Sequence, residues 1–364
     1  MLMCGHEIGI RSATWAVTDR CNFRCRHCCV EAGGDGQDMP LDACRIVVER
    51  LREGDVRSLV LTGGECFVRQ DLEDILNLIA EEGLDLKGFL TNAAVIGERE
   101  ASLVRRLFPH AIFQVSFDGV GYHDIMRGAR GAEKATLKGI ACLRKHGFRV
   151  RASMSICRAN SSVVPKTVYR LEKLGVERIL LNRVEDKGAW KANAERDGLS
   201  PSEFYDASLE WLRFAVRSSP RLELVCGTGW KLAAGDLTFP YRRFPLPCSL
   251  LSGIYIKHDG TVLPCSSFDH LTLPPLGNIL STSIGRIAAN PLWVELCGMA
   301  TCGVGVRNPR CRECRLKGSC GGGCRARGYM AEGAIDGADD EHCYLWRNDF
   351  EGKAVDVVTG TFPL

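Results

Sequence analysis

Three cysteines in the stretch "TDRCNFRCRHCCVEAGG" (18–34) follow the spacing Cys21-x3-Cys25-x2-Cys28. A structural zinc takes four ligands, and a closed ferredoxin-type cluster takes four cysteines. Three thiolates this close can hold three irons of a four-iron cluster and leave the fourth iron open to something that is not protein. A second group runs Cys248-x11-Gly260-x4-Cys265, then Cys311-x2-Cys314-x5-Cys320-x3-Cys324, then Cys343. Cys311-x2-Cys314 alone reads as a zinc knuckle. Seven cysteines, however, do not divide into whole four-thiolate zinc sites, and zinc carries no electrons.

Nineteen cysteines in 364 residues would suit a disulfide scaffold only in a short secreted chain with a signal peptide. The opening "MLMCGHEIGIRSATWAV" has no apolar signal core, and no apolar run reaches the length of a membrane span. A net charge of +3 argues against a nucleic-acid tail or a polybasic membrane patch. We therefore expect a cytoplasmic protein whose grouped cysteines bind metal, with neither nucleic acid nor membrane as a partner.

The elements that must position these cysteines alternate strand and helix. Strands are expected at 12–18, 58–65, 87–93, 111–119, 148–156 and 177–184. Helices are expected at about 41–51, 72–79, 98–107, 134–146 and 163–174, and a helix over 202–217 closes this half. Such alternation gives an α/β fold with a parallel sheet and right-handed crossovers. Chemistry then collects at the carboxyl ends of the strands. The cysteine loop, Gly63-Gly64-Glu65, Thr91-Asn92 and Ser116-x-Asp118-Gly119 all fall there. Singly each reads as a turn; together they mark one rim.

Cys21-x3-Cys25-x2-Cys28 followed by Gly-Gly-Glu resembles the radical S-adenosylmethionine superfamily, over about residues 12–215. The resemblance implies a partial (β/α)6 barrel over 12–217. It implies a [4Fe–4S] cluster on Cys21, Cys25 and Cys28, whose open iron chelates S-adenosyl-L-methionine. Reductive cleavage of that cofactor would give a 5′-deoxyadenosyl radical. By the same resemblance Gly63, Gly64 and Glu65 receive the methionine amine. Asn92, Ser116 and Asp118 hold strand-end cofactor positions, Arg127 pairs with the methionine carboxylate, and His27 lies near the adenine. Cys29 reads as a spare small apolar residue.

The second cysteine group resembles the SPASM domain of peptide and protein maturases, expected here over 241–350 after a linker at 218–240. The resemblance implies an outer auxiliary [4Fe–4S] cluster on Cys311, Cys314, Cys320 and Cys343. An inner one would sit on Cys248, Cys265 and Cys324. Some relatives have an eighth cysteine where this chain has Ile254, so the inner cluster has an open iron or draws a ligand from Cys226, Cys297 or Cys302. Sulfatase maturases carry a functional Asp after the second SPASM cysteine; here Ser266 stands there, with Asp259 and Asp269 as substitutes. Auxiliary clusters accept electrons, so oxidation or crosslinking of a ribosomally made peptide precursor is the expected reaction.

Alternatives are a peptide epimerase using Cys226 as hydrogen donor, a sugar or alcohol dehydrogenase or epimerase, formylglycine formation, and a non-catalytic electron carrier. The intact Gly-Gly-Glu, Asp118 and Arg127 argue against the carrier. Too few residues precede Cys21 for the extra recognition domain of many relatives. A separate leader-recognition protein or direct leader binding is therefore expected, along with an electron donor such as flavodoxin or ferredoxin.

Overall fold

The apolar runs of the first half form strands in which alternate residues are buried, such as Val150, Ala152, Met154 and Ile156. The computed structural model describes residues 2–33, 35–242, 248–303 and 307–360. Its strands are β1 (Ser12–Ala16), β2 (Ser58–Thr62), β3 (Asp85–Thr91), β4 (Ile112–Ser116), β5 (Arg149–Ile156) and β6 (Arg178–Arg183). They lie side by side in chain order, each parallel to the next. Helices α1 (Leu41–Glu53), α2 (Leu72–Glu81), α3 (Glu98–Leu107), α4 (His123–Arg127), α5 (Ala132–Lys145) and α6 (Val164–Lys173) occupy the crossovers. Each long one buries an apolar stripe, such as Cys44, Val47, Val48 and Leu51 of α1. Phe67, Phe89, Phe113 and Phe148 pack in a row at successive centroid distances of 5.1, 5.0 and 4.9 Å, tilted, stacked and edge-on in turn. That aromatic row fixes the strands whose ends carry the site.

The sheet extends beyond the six expected strands on both sides. After helix α7 (Pro201–Ser218), the stretch expected as a linker forms β7 (Glu223–Cys226), β8 (Trp230–Ala233) and β9 (Asp236–Thr238). β7 continues the parallel order beside β6, and β8 and β9 turn back antiparallel. The linker reading of 218–240 is thus corrected: short strands of three or four residues carry too little periodicity to stand out.

On the other side, β10 (Gly253–Ile256) pairs parallel with β1, Gly253 opposite Ser12 and Ile256 opposite Trp15. The turn containing Gly260 leads from β10 into the antiparallel strand Thr261–Leu263, which delivers Cys265. One consequence governs the site. Because β10 runs parallel to β1, its carboxyl end joins the same rim as the barrel strands, and Lys257 and His258 stand there.

Ile254, where relatives place an eighth cysteine, is buried in this pairing against Ala13. Cys302 is bonded to Cys4 across 298 residues, which ties the N-terminal hairpin to helix Pro291–Cys302 and removes this thiol as a cluster ligand. No helix of the described residues is long and apolar enough to cross a membrane.

Candidate active site

The loop after β1 carries Cys21, Cys25 and Cys28 and is held by backbone pairing to its neighbours. Arg24 and Arg26 donate their N–H groups to the carbonyls of Arg127 and Met126 at 3.2 and 2.9 Å. On the other side, Gly64 and Glu65 donate to the carbonyls of Thr18 and Arg20, both at 2.9 Å. A Cβ on Gly64 would collide with the Arg20 carbonyl, so the Gly-Gly step is needed for the two loops to touch.

The three thiols are electrostatic neighbours. Burial pushes the Cys21 thiol up to about 12, so it keeps its proton until a metal displaces it. The Phe23 N–H lies 3.4 Å from Cys21 Sγ, and Arg127 Nη1 donates to Cys25 Sγ at 3.5 Å. Sulfurs already met by N–H donors suit thiolate ligands. Two of the three sulfurs are so met, and three thiols on one loop suit three irons of a cuboidal cluster, with Arg127 as a charge beside Cys25.

The expected cofactor residues divide into two sets. Glu65 is fully buried, and its carboxylate accepts from Phe67 N–H at 3.2 Å, Thr91 Oγ1 at 2.8 and 2.9 Å, and Asn92 N–H at 2.7 Å. Its side chain ties strand ends together, and an ammonium would have to displace these partners. Asn92 Nδ2 donates to Asn22 Oδ1 at 2.8 Å and so steadies the cysteine loop.

Asp118 is likewise buried, 2.7 Å from Arg127 Nε, with Ser155 N–H donating at 3.1 Å. Burial, the largest influence, would raise the Asp118 carboxyl; Arg127, together with His27, His123 and the Ser155 N–H, more than offsets it and holds it below the usual carboxylate range. The polar atoms of Glu65, Asn92, Asp118 and Arg127 thus all meet protein partners. Gly63, Gly64 and Ser116 line the strand ends themselves, and His27 leaves Nδ1 buried without a hydrogen-bond partner. Burial lowers the His27 imidazole to about 4, so it stands uncharged at neutral pH. An orphaned ring nitrogen beside the three-thiol loop fits a polar heterocycle such as adenine.

Asp118→Asn should cost ~3–5 kcal/mol of stability, because it strands a buried guanidinium without its counter-charge. Urea unfolding measures this. The wild-type contribution is complete above the ordinary carboxylate pKa and is lost as pH falls through the lower folded value. A loss under about 1 kcal/mol would instead mark the pair as solvent-screened.

The second cysteine group also assembles. Cys311, Cys314, Cys320 and Cys343 line one small cavity. Cys248, Cys265 and Cys324 are mutual neighbours, with Cys248 and Cys324 sharing an apolar cavity. The "CGGGC" loop that links the two sets has left-handed backbone at Gly321, Gly322 and Gly323, which side chains rarely adopt. Cys297 is buried near Cys248 alone, its thiol turned to the Leu250 carbonyl at 3.6 Å.

Cys226 is fully buried in the hydrophobic core and faces Ser208, while its neighbours Val225 and Gly227 line the cavity of Cys248 and Cys324. It is not brought to the rim, because alternate residues of a strand face opposite ways. Of the two acids weighed beside Ser266, Asp259 bonds the Thr261 N–H in the exposed hairpin turn. Asp269 is instead buried, accepts from Lys257 Nζ at 2.9 Å, and shares a pocket with Gly63 and Gly64.

Sequence reasoning missed the loop after β6. Ala189 N–H donates to the Cys28 carbonyl at 3.0 Å, and a Cβ on Gly188 would strike the same carbonyl. Lys187 beside them is 9% exposed and pairs with Glu185 at 3.0 Å. The only signal for it is the quiet string "EDKGAW".

Residues 15–181 match the model of the Radical SAM superfamily, and residues 248–315 match that of an iron–sulfur cluster-binding domain, SPASM. The antilisterial bacteriocin subtilosin biosynthesis protein AlbA of Bacillus subtilis is 25% identical, over 87% of this chain and 67% of its own. An AdoMet-dependent heme synthase of Methanosarcina barkeri is 26% identical, over 93% of this chain and 97% of its own. The fold is similar to that of native anSMEcpe with bound AdoMet and Cp18Cys peptide. That likeness has a TM-score of 0.71, 16% identity, and coverage of 96% of this chain and 99% of the other.

Proposed function

The chain belongs to the radical SAM superfamily and carries a C-terminal SPASM iron–sulfur domain, and from this premise we propose that it oxidises or crosslinks a ribosomally made peptide. One observation carries the reading. β10 brings the Cys265 hairpin onto the barrel's own rim, and Lys187 has both Cys29 of the barrel cysteine loop and Cys265 of the inner thiol set as charged neighbours. Bound at the three-thiol loop, a [4Fe–4S] cluster with S-adenosyl-L-methionine supplies a radical able to take hydrogen from an unactivated carbon.

The chain's own residues do the rest. Glu65, Thr91 and Asn92 lock the loop, Asp118 aims Arg127 at Cys25, and His27 offers a neutral ring to the nucleoside. Inner and outer thiol sets in series suit removal of an electron from the substrate, which favours oxidation over hydrogen return. A flavodoxin or ferredoxin would deliver the priming electron.

The relatives named above serve bacteriocin biosynthesis and heme synthesis, so a small-molecule substrate is the competing reading. Incubation of the reduced enzyme and S-adenosyl-L-methionine with a peptide encoded beside its gene decides between them. A changed peptide mass supports our reading; an unchanged peptide alongside a consumed porphyrin overturns it.

Iron content tests the ligand assignments. Three barrel and seven C-terminal cysteines should bind about twelve irons per chain after anaerobic reconstitution, if each set holds four. Mössbauer spectra with all iron in [4Fe–4S] form are the expected result. Zinc in the C-terminal part, or about four irons in all, would refute the two auxiliary sites.

A further inference from the structure

Lys187 is a buried lysine with no role in the machinery described so far. Its loop straps the cysteine loop through Ala189 and Gly188, which sets it beside Cys29, next in sequence to Cys28. Its ammonium has Cys29 on the barrel side and Cys265 on the SPASM side as charged neighbours. Glu185 is its ion-pair partner at 3.0 Å, and the amide of Lys187 donates to the Glu185 carbonyl at 2.8 Å.

The pair is not neutral as felt from Cys29. Lys187 acts on Cys29 more strongly than Glu185 or Asp269 does, so the positive end of the pair points inward. Asp269, the other charge facing this space, is already satisfied by Lys257. A buried cation is expensive unless it serves, and Glu185 alone could have been dispensed with by an apolar residue at 187.

We propose that Lys187 is an electrostatic positioning residue, a cation held between the barrel cysteine loop and Cys265 that raises the reduction potential of the cluster on Cys248, Cys265 and Cys324. This rests on the reading of those cysteines as an iron–sulfur site. Net charge near a cluster is one of the principal determinants of its potential, and a nearby positive charge favours the reduced, more negative form. A cluster of higher potential accepts an electron more readily, which is what an oxidative maturase needs of the site nearest its substrate. Glu185 sets the limit of the effect by partly cancelling the charge.

The test is an EPR-monitored redox titration of the reconstituted full chain, without peptide substrate. The inner signal is identified as the one lost in Cys265→Ala. Lys187→Met should move that signal to lower potential, Glu185→Gln should move it to higher potential, and Lys187→Arg should leave it close to wild type. The outer signal should stay where it is in all three. An unmoved inner signal in Lys187→Met at wild-type iron content overturns the proposal, as does an equal shift of both signals, which marks a general disturbance. If Lys187→Met fails to assemble, Glu185→Gln decides alone, and the absence of an upward shift counts against it. If Cys265→Ala removes no signal, the iron–sulfur reading itself falls, and the proposal with it; retained signal with fixed potential refutes the proposal only.

Discussion

Replacing Cys21, Cys25 and Cys28 together by Ala should reduce cleavage of S-adenosyl-L-methionine to background while leaving the fold in place. The loss is total because the three thiols sit on one loop, whose remaining thiol is Cys29. That thiol is flanked by Lys187 and pinned by the strap at Gly188. The fold survives because the loop's main attachments are not through sulfur: apart from the Arg127–Cys25 contact, Arg24, Arg26, Gly64 and Glu65 hold it through backbone groups.

Cys311→Ala with Cys314→Ala should behave differently, sparing some cleavage while stopping product formation. Metal can organise a small domain, so solubility and circular dichroism must accompany the assay. Release of 5′-deoxyadenosine at the wild-type rate by a well-folded triple variant would disprove the central assignment.

The same contrast shows how much of the molecule its sequence discloses. Helix Glu98–Leu107 was legible to the residue because its buried Ala101, Leu103 and Val104 recur at helical spacing between a glycine and a loop. The three-thiol loop was legible because coordination chemistry constrains spacing more tightly than folding does.

Side-chain direction was not legible. Glu65 and Asn92 stand where a cofactor-binding pattern puts them, yet their polar atoms are taken by Thr91, Phe67 and Asn22. Nothing in a linear motif says which way a carboxylate points. The pairing of β10 with β1 joins segments some 240 residues apart, as Ser12 and Ser252 show, and local periodicity carries no such information. Lys187 belongs to no motif at all. Its interest comes from burial and from what stands on either side of it, both of which exist only in the folded chain.

The fate of the substrate hydrogen separates the two peptide chemistries. If electrons leave through the inner and outer thiol sets, each turnover strips two hydrogens, and the product is lighter than the peptide by about two mass units. If a cysteine returns a hydrogen atom, the mass is unchanged in ordinary water, and one deuterium enters from deuterated water. Cys226 was the thiol weighed for that role. Its placement argues against it: the side chain is fully buried, turned toward Ser208 and Trp230, while the strand's other face meets the cavity of Cys248 and Cys324. Burial also pushes its thiol far above the ordinary range.

We therefore expect the lighter product, and we expect Cys226→Ala to make it as wild type does, apart from a stability cost for a small core vacancy. Mass spectrometry of the peptide reacted in both solvents, with this variant alongside, reads the outcome directly. Unchanged mass with deuterium uptake that disappears in Cys226→Ala would make the protein an epimerase. It would also require the strand Glu223–Cys226 to open during turnover, since nothing in its present packing lets that sulfur reach a substrate.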